Sequence, residues 1–172
     1  MLVLFVGCGA QAADPESEAA RGPDLVRPRP AARWCIRRVA EPTGEPVFIT
    51  INLGYKGYAH TDAFPYLVHV NMTVVNKNAN GHPTAAEATV LNEVEDGITE
   101  NLSAAVSTAF VGRATTRGYR ELMYYVSDPK AAHEALEAWG RAPQKRAWEY
   151  RVVEDRKWAQ VTPLLDHPSE CE

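Results

Sequence analysis

Apolar residues occupy alternate positions in several short segments of the chain, which is the pattern of half-buried β-strands. In the clearest of these segments, Val47, Ile49 and Ile51 stand at every second position. A run rich in proline and glycine separates this segment from the one before it, which favours a turn between two strands. The pattern predicts strands over residues 34–39, 47–53, 66–75, 109–115, 119–126 and 148–153.

Two longer segments carry apolar residues at helical spacing, so each is predicted to form an amphipathic α-helix. The first helix begins at Thr84, which has capping-box spacing with Glu87, so that each side chain can bond a free amide of the first turn. The second follows Asp128, a residue type suited to cap a helix, and ends at Gly140. Asp155 is expected to cap a short final helix. The apolar residues assigned to that helix are Trp158, Val161 and Leu165.

The order of these elements predicts an α+β fold, with a mostly antiparallel sheet and two main helices on one face. From the strand at 66–75 onward the order is β-α-β-β-α-β, that of a ferredoxin-like core, and an extra β-hairpin precedes it. In such a core the strand at 66–75 already has two neighbours. The leading hairpin therefore docks elsewhere, or the strand order differs.

The hairpin at 109–126 sets which side chains share a face of the sheet. A three-residue loop over 116–118 would put Gly118 at the left-handed position that glycine tolerates best. That register places Arg113 opposite Glu121, a pair of opposite charges, whereas a two-residue loop would place Arg113 opposite Leu122. We therefore expect the three-residue loop, which directs Phe110, Gly112, Ala114, Leu122, Tyr124 and Val126 toward the helices.

The same register leaves a mixture of polar and large apolar side chains on the face away from the helices. Tyr, Met and Arg are enriched in interface cores, and soluble monomers rarely expose large apolar patches. We expect this face to bind a protein partner or a second copy of the chain, unless the leading hairpin covers it. The residues assigned to it are His69, Asn71, Thr73, Arg113, Tyr119, Glu121, Met123 and Tyr125.

The loop at 54–65 is the other candidate site, because loops of this length are often functional. Tyr58, His60 and Asp62 lie close together in it and could hold a small ligand or serve a hydrolase-like enzyme. The alternative is a solvated loop pinned by its aromatic residues. The sequence lacks the common nucleophile, zinc, phosphate-loop and Cys-x-x-Cys motifs, so no cofactor or metal is expected.

Composition and charge narrow the classes of function. The 172 residues are 45% hydrophobic and 23% charged with a net charge of −4, which favours one globular domain. The basic residues are scattered, and nucleic-acid binding is not expected. The segment 117–119 begins like an RNA-recognition signature, but Arg120 and Glu121 then replace a small residue and a stacking aromatic. No apolar run is long enough for a transmembrane helix.

The N-terminus differs from the rest of the chain. Residues 1–13 are predicted to be an export leader, although they are short and carry no Lys or Arg. Cys8 lies in a segment that fits a bacterial lipoprotein signal, so the mature protein is expected in the periplasm or lipid-anchored in the cell envelope; a cytoplasmic protein is the alternative. We predict a disordered tether over 14–33, one domain over 34–165 and a tail over 166–172. In an oxidising compartment, Cys35 and Cys171 are expected to form a disulfide.

Several segments together resemble a known bacterial family, the domain of unknown function 695, over roughly residues 34–165. They are the hairpin over 110–121, its continuation over 124–129, the helical run 93–96 and the closing Asp155-Arg156-Lys157-Trp158. The resemblance implies no catalytic or binding residues. A more distant resemblance is to the ribonuclease E inhibitor B family of small acidic α+β regulators, which implies a protein partner. A non-enzymatic binding or regulatory domain is therefore the expected function.

Overall fold

The computed structural model describes residues 29–40, 44, 46–167 and 171. The predicted leader, Cys8 and most of the predicted tether lie outside the described residues. The described strands are β1 (Trp34–Ala40), β2 (Pro46–Asn52), β3 (Tyr66–Thr73), β4 (Thr108–Thr115), β5 (Tyr119–Val126) and β6 (Trp148–Glu154). The helices are α1 (Ala85–Ala105), α2 (Pro129–Gly140) and α3 (Thr162–Asp166), with short 3₁₀ turns at Leu53–Tyr55 and Thr61–Ala63.

All six strands form one antiparallel sheet in the order β1-β2-β4-β5-β3-β6. The predicted α+β class is confirmed. The leading hairpin docks through β2 on β4, with Ile51 opposite Gly112. A Cβ atom at Gly112 would lie 2.4 Å from the carbonyl oxygen of Thr50, so glycine is what allows β2 this close approach. Among the described strands, β1 and β6 are the two free edges of the sheet.

The sheet has a separate hydrophobic core on each face. Helices α1 and α2 cover one face, as predicted, and their Leu91, Ile98 and Leu136 share one hydrophobic core with Val70 and Tyr124. Polypeptide from the 53–65 segment and from 158–165 covers the other face, where the core contains Cys35, Val47, Ile49, Ile51, Tyr55, Phe64, Leu67, Ala109, Val111, Met123, Tyr125, Trp158, Val161 and Leu165. Burial on both faces explains why so few large apolar side chains of the described chain are exposed.

The predicted register of the hairpin between β4 and β5 is wrong. Arg113 lies opposite Leu122, and the turn between Thr116 and Tyr119 has two residues rather than three. A β-bulge between Phe110 and Gly112 inserts one extra residue into β4 and changes which side chains face the helices. Phe110, Leu122, Tyr124 and Val126 still pack under the helices, but Ala114 packs against the opposite core.

The two main helices begin where the sequence predicts. The hydroxyl of Thr84 accepts a hydrogen bond from the amide of Glu87, and the carboxylate of Asp128 accepts from the amides of Lys130 and Ala131. The expected capping box is only half formed, because the Glu87 carboxylate bonds groups beyond the helix. At the C-terminal end, the carboxylate of Asp155 caps a turn before α3 rather than α3 itself.

Candidate functional site

Two of the eight residues assigned to the partner-binding sheet face belong to the hydrophobic core. Met123 is 3% exposed and Tyr125 is fully buried, where its ring stacks on Trp158 with centroids 4.0 Å apart. The Tyr125 hydroxyl donates to Asp155 Oδ2 at 2.6 Å. Burial, this hydrogen bond and the negative charge of Asp155 all raise the pKa of Tyr125. These two residues stabilise the fold and offer no surface to a partner, so their assignment to an open face is wrong.

Arg113 also lies elsewhere than predicted. Its guanidinium points to the helix side, where Nη1 donates to both carboxylate oxygens of Glu95 at 3.0 and 2.9 Å. Arg120 shares this buried carboxylate and donates to Asn92 Oδ1 at 2.7 Å. Burial lowers the pKa of Arg120. The contacts of these two arginines with Glu95 and Asn92 attach α1 to β4 and β5. The ion pair with Glu95 stabilises the register in which Arg113 lies opposite Leu122, which the sequence did not favour.

The remaining residues of the predicted face lie in or beside an open cleft, and they are His69, Asn71, Thr73, Tyr119 and Glu121. His69 is buried, and its Nδ1 lies 2.5 Å from Glu121 Oε1. The hydrogen bond from His69 lowers the pKa of Glu121. The cleft has a volume of about 430 Å³ and opens between the ends of β3, β5 and β6. It is lined by Asn71, Met72, Thr73, Tyr119, Glu121, Ala147, Trp148 and Glu149.

The loop at 54–65 packs against the hydrophobic core on the sheet face opposite α1 and α2. Tyr58 is half-buried, and its ring centroid is 6.0 Å from that of Trp158 and 5.6 Å from that of His60. A cavity of about 390 Å³ lies between this loop and α3, but neither His60 nor Asp62 lines it. Among the residues that the structure describes, no group of three His, Cys, Asp or Glu side chains could hold a metal ion.

The edge strand β6 offers unused backbone groups. Residues 73 and 147 form a hydrogen-bonded pair, as do 65 and 155, with bonds of 3.1 and 2.8 Å. Hydrogen-bonded pairs alternate along an antiparallel ladder, so the groups of Glu149 and Arg151 also face β3. The N–H and C=O groups of Trp148, Tyr150 and Val152 therefore point away from the sheet, where no strand pairs with them in the described chain.

A groove runs beside this free edge, between β6 and α2. It consists of two cavities of about 500 and 490 Å³ that share Glu137 and Tyr150. The first is lined by Leu136, Glu137, Gly140, Arg141, Gln144, Arg146, Ala147, Trp148, Glu149 and Tyr150, and the second by Pro129, His133, Glu137, Tyr150, Arg151 and Val152. The groove thus follows nearly the whole of α2 and most of β6.

Hydrogen bonds between α2 and Tyr150 connect the two walls of the groove at its centre. The Tyr150 hydroxyl donates to Glu137 Oε1 at 2.8 Å and lies 2.6 Å from His133 Nδ1. Because the hydroxyl has one proton, His133 Nδ1 must be the donor in the second bond. Burial and the bond to Glu137 raise the pKa of Tyr150 to about 12. His133 and Glu137 are four residues apart, so both face β6.

A buried ion pair fixes the start of β6. Arg146 Nε and Nη2 donate to the two oxygens of Glu87 at 2.7 and 2.5 Å, and Glu87 is fully buried at the start of α1. Glu87 also accepts from the amide of Val75 and the side chain of Asn76. Trp148 then packs on Trp139 of α2, with ring centroids 5.2 Å apart. These contacts hold both walls of the groove in place.

The sequence pattern did not predict the groove between α2 and β6. The alternation of Trp148, Tyr150 and Val152 was visible, and so was the spacing of His133 and Glu137. Their meeting depends on β6 lying at the edge of the sheet under α2, which periodicity within one segment does not reveal.

The comparisons with known proteins complete these observations. Of the helices that the structure describes, none is both long and apolar enough to cross a membrane. No curated protein and no solved structure matches the chain. The model of the family of unknown function DUF695 matches residues 38–164, which include five complete strands, both main helices and all but the first residues of the leading hairpin. The chain therefore belongs to the DUF695 family of unknown function.

Proposed function

We propose that this protein is a non-enzymatic binding domain that takes up an extended segment of another protein along β6. The segment adds to the sheet as a seventh strand, a mode of recognition known as β-strand addition. The observation that carries the proposal is the groove between α2 and the free edge of β6, which supplies main-chain bonding groups and side-chain pockets along one line.

The backbone of β6 can bond an added segment whatever the amino-acid sequence of that segment. An extended segment lying antiparallel to β6 bonds the outward N–H and C=O groups of Trp148, Tyr150 and Val152. Its residues opposite these three share their face of the sheet, so their side chains enter the groove beside α2. Apolar side chains suit these positions, because Trp148 and Val152 line the groove there.

The opposite face of β6 supplies a preference for charge. The side chains of Glu149 and Arg151 are exposed on it. Opposite charges favour each other across a strand pair by about 0.2–1 kcal/mol. An antiparallel segment should therefore carry an acidic residue opposite Arg151 and, two residues later, a basic residue opposite Glu149.

A library of displayed random peptides, followed by fluorescence polarisation with the selected peptides, tests the proposal. Val152→Pro removes an outward N–H without removing a bond to β3, so binding should fall by tenfold or more, the loss of about 1.4 kcal/mol. Arg38→Pro makes the matched change on the other free edge, β1, and should leave binding intact. Thermal unfolding of both variants establishes that the fold survives.

A second measurement does not depend on any variant. On addition of a selected peptide, the amides of Trp148, Tyr150 and Val152 should gain protection from hydrogen exchange, while those of β1 should not. Selected peptides that bind the Val152→Pro variant as tightly as the parent, or that leave these three amides unprotected, would refute the proposal.

We further propose that the protein is exported. The apolar start of the chain motivates this, and a disulfide between Cys35 and Cys171, with Cα atoms 5.1 Å apart, supports it because such bonds persist in oxidising compartments. Cell fractionation with a metabolically labelled lipid tests both export and lipidation of Cys8. Unlabelled full-length protein in the cytosol would exclude both.

A further inference from the structure

We propose that the other free edge of the sheet, β1, is the contact surface for a second copy of this chain. In the proposed dimer, β1 pairs antiparallel with β1 of the second copy about a two-fold axis at Ile36, and the two sheets become continuous. This surface lies at the opposite end of the sheet from β6, so the proposal does not depend on the function proposed above.

The outward groups of β1 follow from its pairing with β2. The amide of Leu53 donates to the carbonyl of Arg33 at 2.8 Å, so residues 33 and 53 form a hydrogen-bonded pair. Alternation along the ladder then directs the backbone groups of residues 35, 37 and 39 toward β2. The N–H and C=O groups of Trp34, Ile36 and Arg38 point away from the sheet.

The side chains of these three residues are also exposed. Trp34 is 48% exposed and Ile36 is 46% exposed, and no other strand of the described chain contains two exposed large hydrophobic residues. Their neighbours Cys35 and Arg37 face inward, where Cys35 bonds Cys171 and Arg37 donates to the carbonyl of Leu164 at 2.6 Å. The alternation therefore places Trp34, Ile36 and Arg38 on the face that α1 and α2 cover farther along the sheet.

The two helices do not extend over β1. The core beneath α1 and α2 contains no buried residue of β1 or β2, and Trp34 makes its ring contact with Phe110 at the margin of that core. An open, apolar edge of this kind is what soluble proteins usually protect with charges, prolines or a covering segment. Only Arg38 provides such a charge among the outward residues of β1.

The residues of β1 are complementary to their own copy in one register. With Ile36 opposite Ile36 of the second copy, Trp34 lies opposite Arg38 of that copy, and the reverse pair repeats across the two-fold axis. Each guanidinium can then pack on an indole face, which is a favourable cation–π arrangement. An axis at Arg38 would oppose like charges, and an axis at residue 37 would oppose Ile36 and Arg38.

Sedimentation velocity of the full chain over a concentration series tests the inference. The parent should show a reversible dimer. In the Trp34→Arg variant, the arginine introduced at position 34 lies opposite Arg38 of the second copy, and the two-fold axis repeats this like-charge pair. The dissociation constant should therefore rise about tenfold or more. The double variant Trp34→Arg, Arg38→Trp restores the complementary pairs in the opposite order and should recover the parent value within about threefold. Tyr119→Arg, the same kind of change at another exposed aromatic residue, should have no effect.

Three outcomes would overturn the inference. The parent could remain monomeric at every concentration, as it would if another segment of the chain covered β1. The Trp34→Arg variant could dimerise like the parent, which would place the dimer contact elsewhere. The double variant could remain folded without recovering the dissociation constant of the parent, which would exclude this register. Dimerisation that survives Val152→Pro but not Arg38→Pro would separate this edge from the β6 edge.

Discussion

The indole ring of Trp158 stacks on the phenol ring of Tyr125, with 4.0 Å between centroids and 11° between planes. Trp158 has a positive φ of 55°, which is uncommon for a residue other than glycine. Its indole N–H donates to the carbonyl of Phe64 at 3.0 Å, and this bond, with the stacking, holds the residue in that conformation. Through Trp158 the C-terminal segment covers Tyr125, one of the residues that a partner was expected to contact.

Replacement of Trp158 should therefore destabilise the protein strongly. Trp158→Ala removes a fully packed aromatic side chain and should lower the free energy of unfolding by about 3–5 kcal/mol. Tyr119→Ala, at the exposed end of the same sheet face, should cost about 1 kcal/mol or less. Urea denaturation of both variants measures the difference. Equal losses would show that the two ends of this face are packed alike.

The buried hydroxyl of Tyr125 should make stability depend on alkaline pH. Its pKa is raised in the folded state, so its contribution is present below about pH 10, the ordinary tyrosine range, and is lost as the pH rises further. Tyr125→Phe should cost about 1.5–3 kcal/mol at pH 7, because it removes a hydrogen bond to a charged group. Its unfolding free energy should then fall less steeply than that of the parent above pH 10.

Denaturant unfolding between pH 7 and pH 11 measures this slope, and Tyr119→Phe is the control at an exposed ring. If the unfolding free energy of Tyr125→Phe fell as steeply above pH 10 as that of the parent, the Tyr125 hydroxyl would not be the group responsible for the alkaline loss of stability.

The ion pair between Glu87 and Arg146 should make stability depend on acid pH. Hydrogen bonds from Arg146, Val75 and Asn76 lower the pKa of Glu87 from 4.5 to about 2 against the opposing effect of burial. The stability that the carboxylate contributes is present above pH 4.5 and is lost as the pH falls toward 2. Glu87→Gln should cost roughly 3 kcal/mol at pH 7, since it leaves a largely buried arginine without its partner.

The difference between this variant and the parent should shrink as the pH falls from 5 to 2, as measured by denaturant unfolding. Lys130→Gln is a control, because its ion pair with Glu134 is exposed. A difference that stays constant with pH would show that the loss comes from packing rather than charge.

The disulfide between Cys35 and Cys171 should stabilise the protein when it forms. It closes a loop with a sequence separation of 136 residues, for which the chain-entropy estimate is about 4–5 kcal/mol. Mass spectrometry of the non-reduced protein should find the two thiols joined. The Cys35→Ser, Cys171→Ser variant should unfold at lower denaturant, and the parent should match it only after reduction. Two freely alkylated thiols in protein purified without reductant would refute the bond.

Local signals in the sequence determined the kinds of element and where the main helices begin. Thr84 and Asp128 cap α1 and α2 because a side-chain oxygen can reach the amides of the first turn whatever the rest of the chain does. Alternation located every strand, and Gly118 has the positive φ of 108° that its turn was expected to need. The order of elements was enough for the α+β class.

Contacts between distant segments decided the rest. The position of Arg113 depends on Glu95, eighteen residues earlier, and on a bulge in β4 that no local pattern marks. Burial of Tyr125 depends on Trp158, and the groove depends on α2 lying beside the last strand. Periodicity indicates which positions of a segment face a hydrophobic core, but long-range packing sets which other segment covers those positions. For this reason the sequence alone identified a sheet face with large side chains. The tertiary structure covered Met123 and Tyr125 on that face and left β1 and β6 as the free edges of the described sheet.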